Sequence, residues 1–346
     1  MKLNTLIQLF PQDEWDKYHV MVTQGQTPLW KYWEEYVTRQ LDLGGSMQTL
    51  QNVRSTMQFI VRHMNIYSIE ECNNQNTFED RLIDVKKERR HSGSTTNTIL
   101  KNIKTYFIWL RRREYILENK LDLVQKSKTV KNAQVAFSKE QVLYIQEAIL
   151  NQTHTPLITM RNFLFIKLLA LTGARPSELL NLKASSLEKT SIGDYVLKIT
   201  GVKQITKPRV YHIKDLIFAQ IFESYMSHRA KIGRSDEALF ISSSMKGPWT
   251  YQGLRKLFAS IAKKVGFQVT AYGFRRYVAT NLHTQRLPIE KIAQHLGHTR
   301  LSTTMLYIQN STEHTLEAMT MLESNLMSAS PLTLPSAYSN KKDKWL

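Results

Sequence analysis

The stretch His298-Thr299-Arg300-Leu301-Ser302-Thr303-Thr304-Met305-Leu306-Tyr307 follows Gly297 and closes on a tyrosine. A phenol oxygen is a competent nucleophile toward phosphorus when neighbouring groups take up charge and protons. The expected chemistry is attack of Tyr307 on a nucleic-acid phosphate, with His298 beside it. A lone tyrosine is more often a half-buried amphipathic side chain, so the reading depends on partners elsewhere in the chain. The first is Thr172-Gly173-Ala174-Arg175-Pro176-Ser177-Glu178-Leu179-Leu180-Asn181-Leu182. Gly173 ends one helix and Pro176 begins another. That places Arg175 at a helix N-terminus, where backbone N–H groups and the dipole favour an anion. Glu178, three residues on, is placed to reach back to the guanidinium, although such a pair on an ordinary exposed helix is worth little. The second partner is Thr270-Ala271-Tyr272-Gly273-Phe274-Arg275-Arg276-Tyr277-Val278-Ala279-Thr280, and the third Leu296-Gly297-His298.

Bulk composition agrees with an anionic substrate. The 346 residues carry a formal charge of +18, and at 42% hydrophobic and 10% aromatic the chain is a folded globular protein. A pI near 9.8 implies a polyanionic partner. Membrane is the weaker alternative. Leu3 to Phe10 is too short and too polar for a signal segment, and the apolar run Asn162–Leu171 contains Lys167. The one cysteine, Cys72, forms no intramolecular disulfide and has no metal-ligand cluster around it. No histidine cluster implies a metal, and no phosphate-binding glycine loop implies a nucleotide. The expectation is a cytoplasmic protein, nucleoid-associated when bound to DNA, with no cofactor.

The elements that must position these side chains follow from periodicity. Residues 1–125 read as a bundle of four or five helices. Its apolar stripes are Leu29, Tyr32, Trp33, Tyr36; Leu50, Val53, Met57, Ile60, Val61; and Ile99, Ile103, Tyr106, Phe107, Leu110. Ser46 is placed to cap the second of these helices, Glu70 to Asn76 reads as a loop, and Phe78 to Arg90 as a charged helix. Basic runs fall at helix ends: Lys86-Lys87-Glu88-Arg89-Arg90 and Arg111-Arg112-Arg113. Residues 126–136 form a basic linker. From 137 a second domain is expected to run to 327, with a loosely ordered tail at 328–346. Ser138 and Gln141 make a capping box. Asp194–Thr200 and Arg209–Ile213 read as two strands around the turn Gly201–Pro208, and helices follow at Lys214–Lys231, Tyr251–Val265, Phe274–Arg286 and Pro288–Leu296, the last with Pro288 at its first helical position. The fold class is mainly α with a small β-sheet.

The order and spacing of these boxes resemble the catalytic domain of the tyrosine recombinases, the phage-integrase and Xer-like site-specific recombinases. The resemblance covers roughly residues 137–320 and rests on four boxes in order: T-G-A-R-P-S-E-L, Tyr272-Gly273-Phe274-Arg275, Leu296-Gly297-His298, and Tyr307 nine residues later. It implies an N-terminal helical core-binding domain of SAM-like type and a C-terminal domain of the DNA breaking-rejoining fold. It implies that Arg175 and Arg275 clamp the phosphate, that Tyr307 forms a 3′-phosphotyrosyl bond, and that His298 donates a hydrogen bond to the phosphate. A hairpin lysine, Lys203 with Lys207 as the alternative, would be the general acid for the leaving 5′-oxygen. Tyr272 departs from the family, which usually has His, and sometimes Lys, at that position. A phenol of pKa near 10 is a poorer proton carrier but still a hydrogen-bond donor, so a working but slower enzyme is expected. The resemblance further implies a C-shaped clamp on double-stranded DNA with an inverted-repeat core site. It also implies a homotetramer on two synapsed sites and strand exchange through a Holliday junction, without metal or ATP.

Other readings attach to particular residues. Arg276 and Tyr277 are expected at the helix surface and core, His295 toward solvent or DNA, and His212 as a cross-strand residue. The stripe Leu316, Met319, Leu322, Leu326 packs on its own domain or docks on a neighbouring subunit. Two rival functions remain: a helix-turn-helix regulator built on Phe274–Arg286 and Pro288–Leu296, which leaves Arg175, Lys203, His298 and Tyr307 without a joint role, and a type IB topoisomerase, which shares the chemistry but needs no synapsis.

Overall fold

A computed structural model of the chain describes residues 6–129, 136–151, 154–200, 208–231, 237–244 and 247–308, with side chains to Met305. The chain divides into two compact units, Met1–Asn132 and Ala133–Leu346.

The first unit is helical: α1 (Gln12–Val20), α2 (Trp33–Asp42), α3 (Met47–Phe59), α4 (Ile69–Cys72), α5 (Gln75–Glu88) and α6 (Gly93–Arg112). Ser92 caps α6 by accepting from the Thr95 amide. Ile99, Ile103, Tyr106, Phe107 and Leu110 of α6 are all buried, as are Leu50, Val53 and Met57 of α3. Aromatic edges join the layers; Tyr36 meets Tyr106 at 5.2 Å and 79°. Leu29 and Tyr32 precede α2 and lie outside its helix, and Ser46 stands at the N-cap of α3 without accepting a side-chain bond. Glu70 to Asn76 is not a loop. Ser68 and Glu71 close a capping box over the one-turn α4, and Asn74 caps α5; local side-chain capping makes helix starts out of polar residues that carry no apolar period. The chain at 125–127 is held by this unit, with the Gln125 amide on Glu79 and the Ser127 amide on Asn97, each at 2.9 Å.

The second unit contains α7 (Lys139–Leu150), α8 (Pro156–Thr172), α9 (Pro176–Leu180), a three-stranded antiparallel sheet, α10 (Leu216–Lys231), α11 (Tyr251–Val265), α12 (Ala271–Thr284), α13 (Ile289–Leu296) and α14 (Leu301–Ile308). The sheet order is β1 (Leu187–Lys189), β2 (Tyr195–Ile199), β3 (Arg209–Ile213). Tyr195 pairs with Ile213 and Ile199 with Arg209. Three strands stand where alternation indicated two, because β1 has only Leu187 buried and no periodicity to read. α8 is the central helix, apolar all round, with α7, α10 and α12 packed about it. α10 starts at Leu216 because the Asp215 carboxylate, paired with Lys167 at 2.7 Å, accepts from the Phe218 amide. α12 starts earlier than its apolar period suggests, at Ala271, capped by Thr270. Pro288 is the N-cap of α13, with ψ of 142°, not its first helical residue.

Two glycines set the geometry that matters. Gly173 ends α8 at φ +58° and Gly297 ends α13 at φ +67°. A Cβ on Gly173 would lie 2.5 Å from Cδ2 of Leu296, so the end of α13 packs into the space a side chain would fill. Gly173→Ala therefore combines left-handed strain with overpacking against a fully buried leucine, and urea denaturation should show a loss of about 1–3 kcal/mol. Unchanged stability would mean that the two helix ends are not packed as described.

Candidate active site

Arg175 occupies the N-cap of α9 with Pro176 behind it in the first turn. Its guanidinium is half exposed and contacts the Gly297 carbonyl at 3.4 Å and Glu178 Oε1 at 3.3 Å. Glu178 Oε2 accepts the Arg175 amide at 2.7 Å and also meets Arg209 Nη2 at 2.7 Å. The pair is thus not an ordinary surface one: Glu178 is almost wholly buried and shared by two arginines. Burial pushes its carboxyl up, but the Arg175 amide and then the Arg209 and Arg175 charges outweigh that and hold it below the ordinary carboxylate value.

Arg275, one turn into α12, is buried. Nη1 donates to the Gly173 carbonyl at 2.7 Å and Nη2 to the Leu296 carbonyl at 2.7 Å. One guanidinium therefore satisfies carbonyls at the C-terminal ends of both α8 and α13, where the helix dipoles favour a cation. Its Nε–H points at Nε2 of His298, 3.2 Å away. His298 Nδ1 lies 2.7 Å from the buried Thr304 hydroxyl on α14. The tautomer that satisfies both contacts is neutral, with Nδ1–H donating and Nε2 accepting. Burial first, then the charges of Arg275, Arg175 and Arg209, lower its pKa to about 3. The sequence expectation that His298 donates to a phosphate thus meets a ring whose Nε2 is an acceptor in this arrangement.

Arg175, Tyr272, Arg275 and His298 line one cleft of about 570 Å³, rimmed by Arg255. Tyr272 is 43% exposed there. Thr303 of α14 also lines the cleft, and position 307 follows one turn later on the same helix. The side chain of Tyr307 lies outside the described residues, as do Lys203 and Lys207, the turn 201–207, the stripe Leu316–Leu326 and the tail 328–346. α14 packs on α12 and α13 of its own chain.

Several neighbours differ from their sequence expectations. Arg276 is buried, not on the surface, with its guanidinium 5.8 Å from the Tyr272 ring centre. His295 turns inward: Nε2 lies 3.2 Å from the Leu171 carbonyl and its ring stands edge-on to Tyr211 at 5.0 Å. His212 is exposed opposite Val196, a cross-strand position. Arg209 and Thr304 went unread. A basic residue opening a short strand and a threonine in a Ser-Thr-Thr run carry no local signal of what they touch. α12 and α13 do form a packed helix pair through Val278, Ala279, Ile292 and Leu296, but its end delivers His298 into the cleft. Among the described residues there is no group of His, Cys, Asp and Glu able to hold a metal ion, and no helix long and apolar enough to cross a membrane.

The phage integrase family model matches residues 139–314, about half of the chain. The chain belongs to the phage integrase family. Its relatives include the tyrosine recombinase XerC of Bacillus pumilus, 25% identical over 78% of this chain and 88% of that protein. The tyrosine recombinase XerA of Thermococcus kodakarensis is 24% identical over 82% of this chain and 85% of that one. Among solved structures, XerH site-specific recombinase bound to palindromic difH substrate superposes with a TM-score of 0.65 at 18% identity, covering 84% of this chain and 83% of that one. A lambda integrase dimer bound to a COC′ core site gives 0.61 at 16%, covering 86% of this chain and 81% of that one. The fold is that of a tyrosine recombinase catalytic domain, and the chain is a tyrosine recombinase, an enzyme of the DNA strand-transferring class.

The depressed His298 pKa has a thermodynamic consequence in this recombinase. The unfolded imidazole, with an ordinary value of 6.5, takes up a proton at a pH where the folded one, at about 3, does not. His298 therefore lets stability persist above pH 6.5 and be lost as pH falls from there toward 3. Urea melts across that window should show a smaller acid loss in His298→Gln than in the parent. Equal slopes would mean that the imidazole is not held neutral by burial among arginines.

Proposed function

We propose that this protein is a site-specific DNA recombinase that cleaves and rejoins strands through a 3′-phosphotyrosyl intermediate. The observation that carries the reading is the convergence of Arg175, Arg275, Tyr272 and His298 on one cleft, with the helix bearing position 307 packed beside it. The two guanidinium groups take the non-bridging oxygens and offset the charge that grows on a pentacoordinate phosphorus. The Tyr307 oxygen attacks in line and the bond to the 5′-oxygen breaks. Lys203, or Lys207, delivers a proton to that leaving oxygen, freeing a 5′-hydroxyl. A bound phosphate cancels part of the arginine field that depresses His298. Its ring then accepts the phenol proton and, as imidazolium, donates to the phosphate. Tyr272, exposed into the same cleft, donates a hydrogen bond to a phosphate oxygen. Rejoining reverses the sequence, with a 5′-hydroxyl from the partner strand displacing Tyr307.

The partner is double-stranded DNA with an inverted-repeat core site, bound by the helical unit 1–125 and the catalytic unit 137–327 through the basic segment between them. The +18 charge supplies the sequence-independent share of that affinity. Two such sites are brought together in a homotetramer, and strands exchange in pairs through a Holliday junction. A neighbour among solved structures, a lambda integrase tetramer bound to a Holliday junction, supports this assembly by its fold. A helix-turn-helix regulator is the poorer reading, because the end of α13 is committed to the cleft.

A duplex nicked near its cleavage point tests the assignment. The parent chain should form an SDS-resistant adduct that Tyr307→Phe eliminates. Arg175→Ala should lower the single-turnover rate by roughly 10²–10³-fold, and Tyr272→His should preserve cleavage. An adduct that survives Tyr307→Phe, or a Tyr272→His chain that no longer cleaves, would contradict the assigned roles.

A further inference from the structure

Glu178 is placed to compete with the phosphate for Arg175. A buried carboxylate three residues from Arg175 is a competitor for the guanidinium that the phosphate needs. Left as the sole partner, it would take Arg175 in a two-pronged bond, the geometry in which arginine binds carboxylates most strongly. It does not do so here. Oε2 is occupied by the Arg175 backbone amide at 2.7 Å and by Arg209 Nη2 at 2.7 Å, while the Arg175 guanidinium has only a 3.3 Å contact to Oε1. The consequence is visible in exposure: the Arg175 side chain is 49% accessible and lines the cleft, whereas that of Arg209 is 9% accessible.

Arg209 is also fixed from behind. Its Nη1 donates to the His295 carbonyl at 3.4 Å, and its guanidinium lies against Gly297, where an added Cβ would stand 2.9 Å from it. Its backbone opens β3, opposite Ile199 at the end of β2.

The geometry points to Arg209 as a positioning residue of the recombinase: it holds the Glu178 carboxylate so that the Arg175 guanidinium stays presented to the scissile phosphate. It does not line the cleft that Arg175 and Arg275 share, so it acts through Arg175. Removing it leaves Arg175 to balance the buried carboxylate by itself, which draws its guanidinium out of the cleft.

The inference rests on the recombinase reading, and the experiment separates the two. Single-turnover cleavage is measured on two nicked duplexes. One carries an ordinary scissile phosphodiester; the other carries a methylphosphonate there, in which a neutral methyl group replaces one charged oxygen. The full-length parent, Arg175→Ala, Arg209→Gln and the double variant are compared at matched site occupancy. On the phosphodiester, Arg209→Gln should cleave roughly 10²-fold more slowly, the scale of a displaced active-site group. On the methylphosphonate, where less charge has to be neutralised, its deficit should shrink in parallel with that of Arg175→Ala. The double variant should be little worse than Arg175→Ala alone, because both act through one guanidinium. If Arg209→Gln does not fold, Arg209→Lys takes its place in the same comparisons. It keeps a cation on Glu178 without the fork, and its smaller deficit should shrink in the same way. Equal fractional losses on the two substrates, additive losses in the double variant, or no loss at all would overturn the positioning role. A parent chain that forms no adduct overturns both the inference and the reading beneath it; an adduct lost in Arg175→Ala but unaffected by the Arg209 substitutions overturns the inference alone.

Discussion

One buried guanidinium ties the second unit's site together. Arg275 donates at 2.7 Å to the Gly173 carbonyl and at 2.7 Å to the Leu296 carbonyl, so a single cation joins the C-terminal ends of α8 and α13. No carboxylate bond is needed to hold it, because two helix ends bring partially negative carbonyls to the same point. The contact requires both helices to stop abruptly, which the left-handed conformations at Gly173 and Gly297 accomplish. Once they stop there, Arg175 follows Gly173 by two residues and His298 follows Gly297 by one. Both then face the cleft that Arg275 and Tyr272 line.

That arrangement concentrates positive charge around a neutral imidazole. Burial first, and then Arg275, Arg175 and Arg209, depress His298. Such a site favours an anion, and in the proposed reaction a bound phosphate would offset part of the arginine field and leave the ring better able to take up a proton. Glu178 moderates the charge without filling the cleft, because it lies beneath the arginines and is itself almost fully buried.

Much of this was legible in the sequence, and what was legible shares a cause. The Gly-Ala-Arg-Pro junction, the Gly-His step and the Ser138–Gln141 capping box are local motifs whose backbone requirements leave a mark on residue type. Apolar periodicity found the cores of α3 and α6 and the alternation of Tyr195, Leu197 and Ile199. The rest depended on contacts across long separations. Arg209 meets Glu178 and the His295 carbonyl only after the sheet has formed. Thr304 meets His298 only when α14 packs on α12 and α13. The loop expected at Glu70–Asn76 is helical because Ser68 and Asn74 cap short turns, a side-chain effect that apolar periodicity cannot register. Arg276 looked like a surface residue because a charged side chain in a helix usually is one, and tertiary packing overrode that preference.

The proposed reaction places one phosphorus among Arg175, Arg275 and Tyr307. A structure of the full chain on core-site DNA interrupted at the scissile position and closed by vanadate would put this to the test. A pentacoordinate vanadium bonded to the Tyr307 oxygen is expected, with both guanidinium groups within hydrogen-bond distance of its equatorial oxygens. A metal centre bonded to some other residue, or to Tyr307 with Arg175 and Arg275 both out of reach, would contradict it.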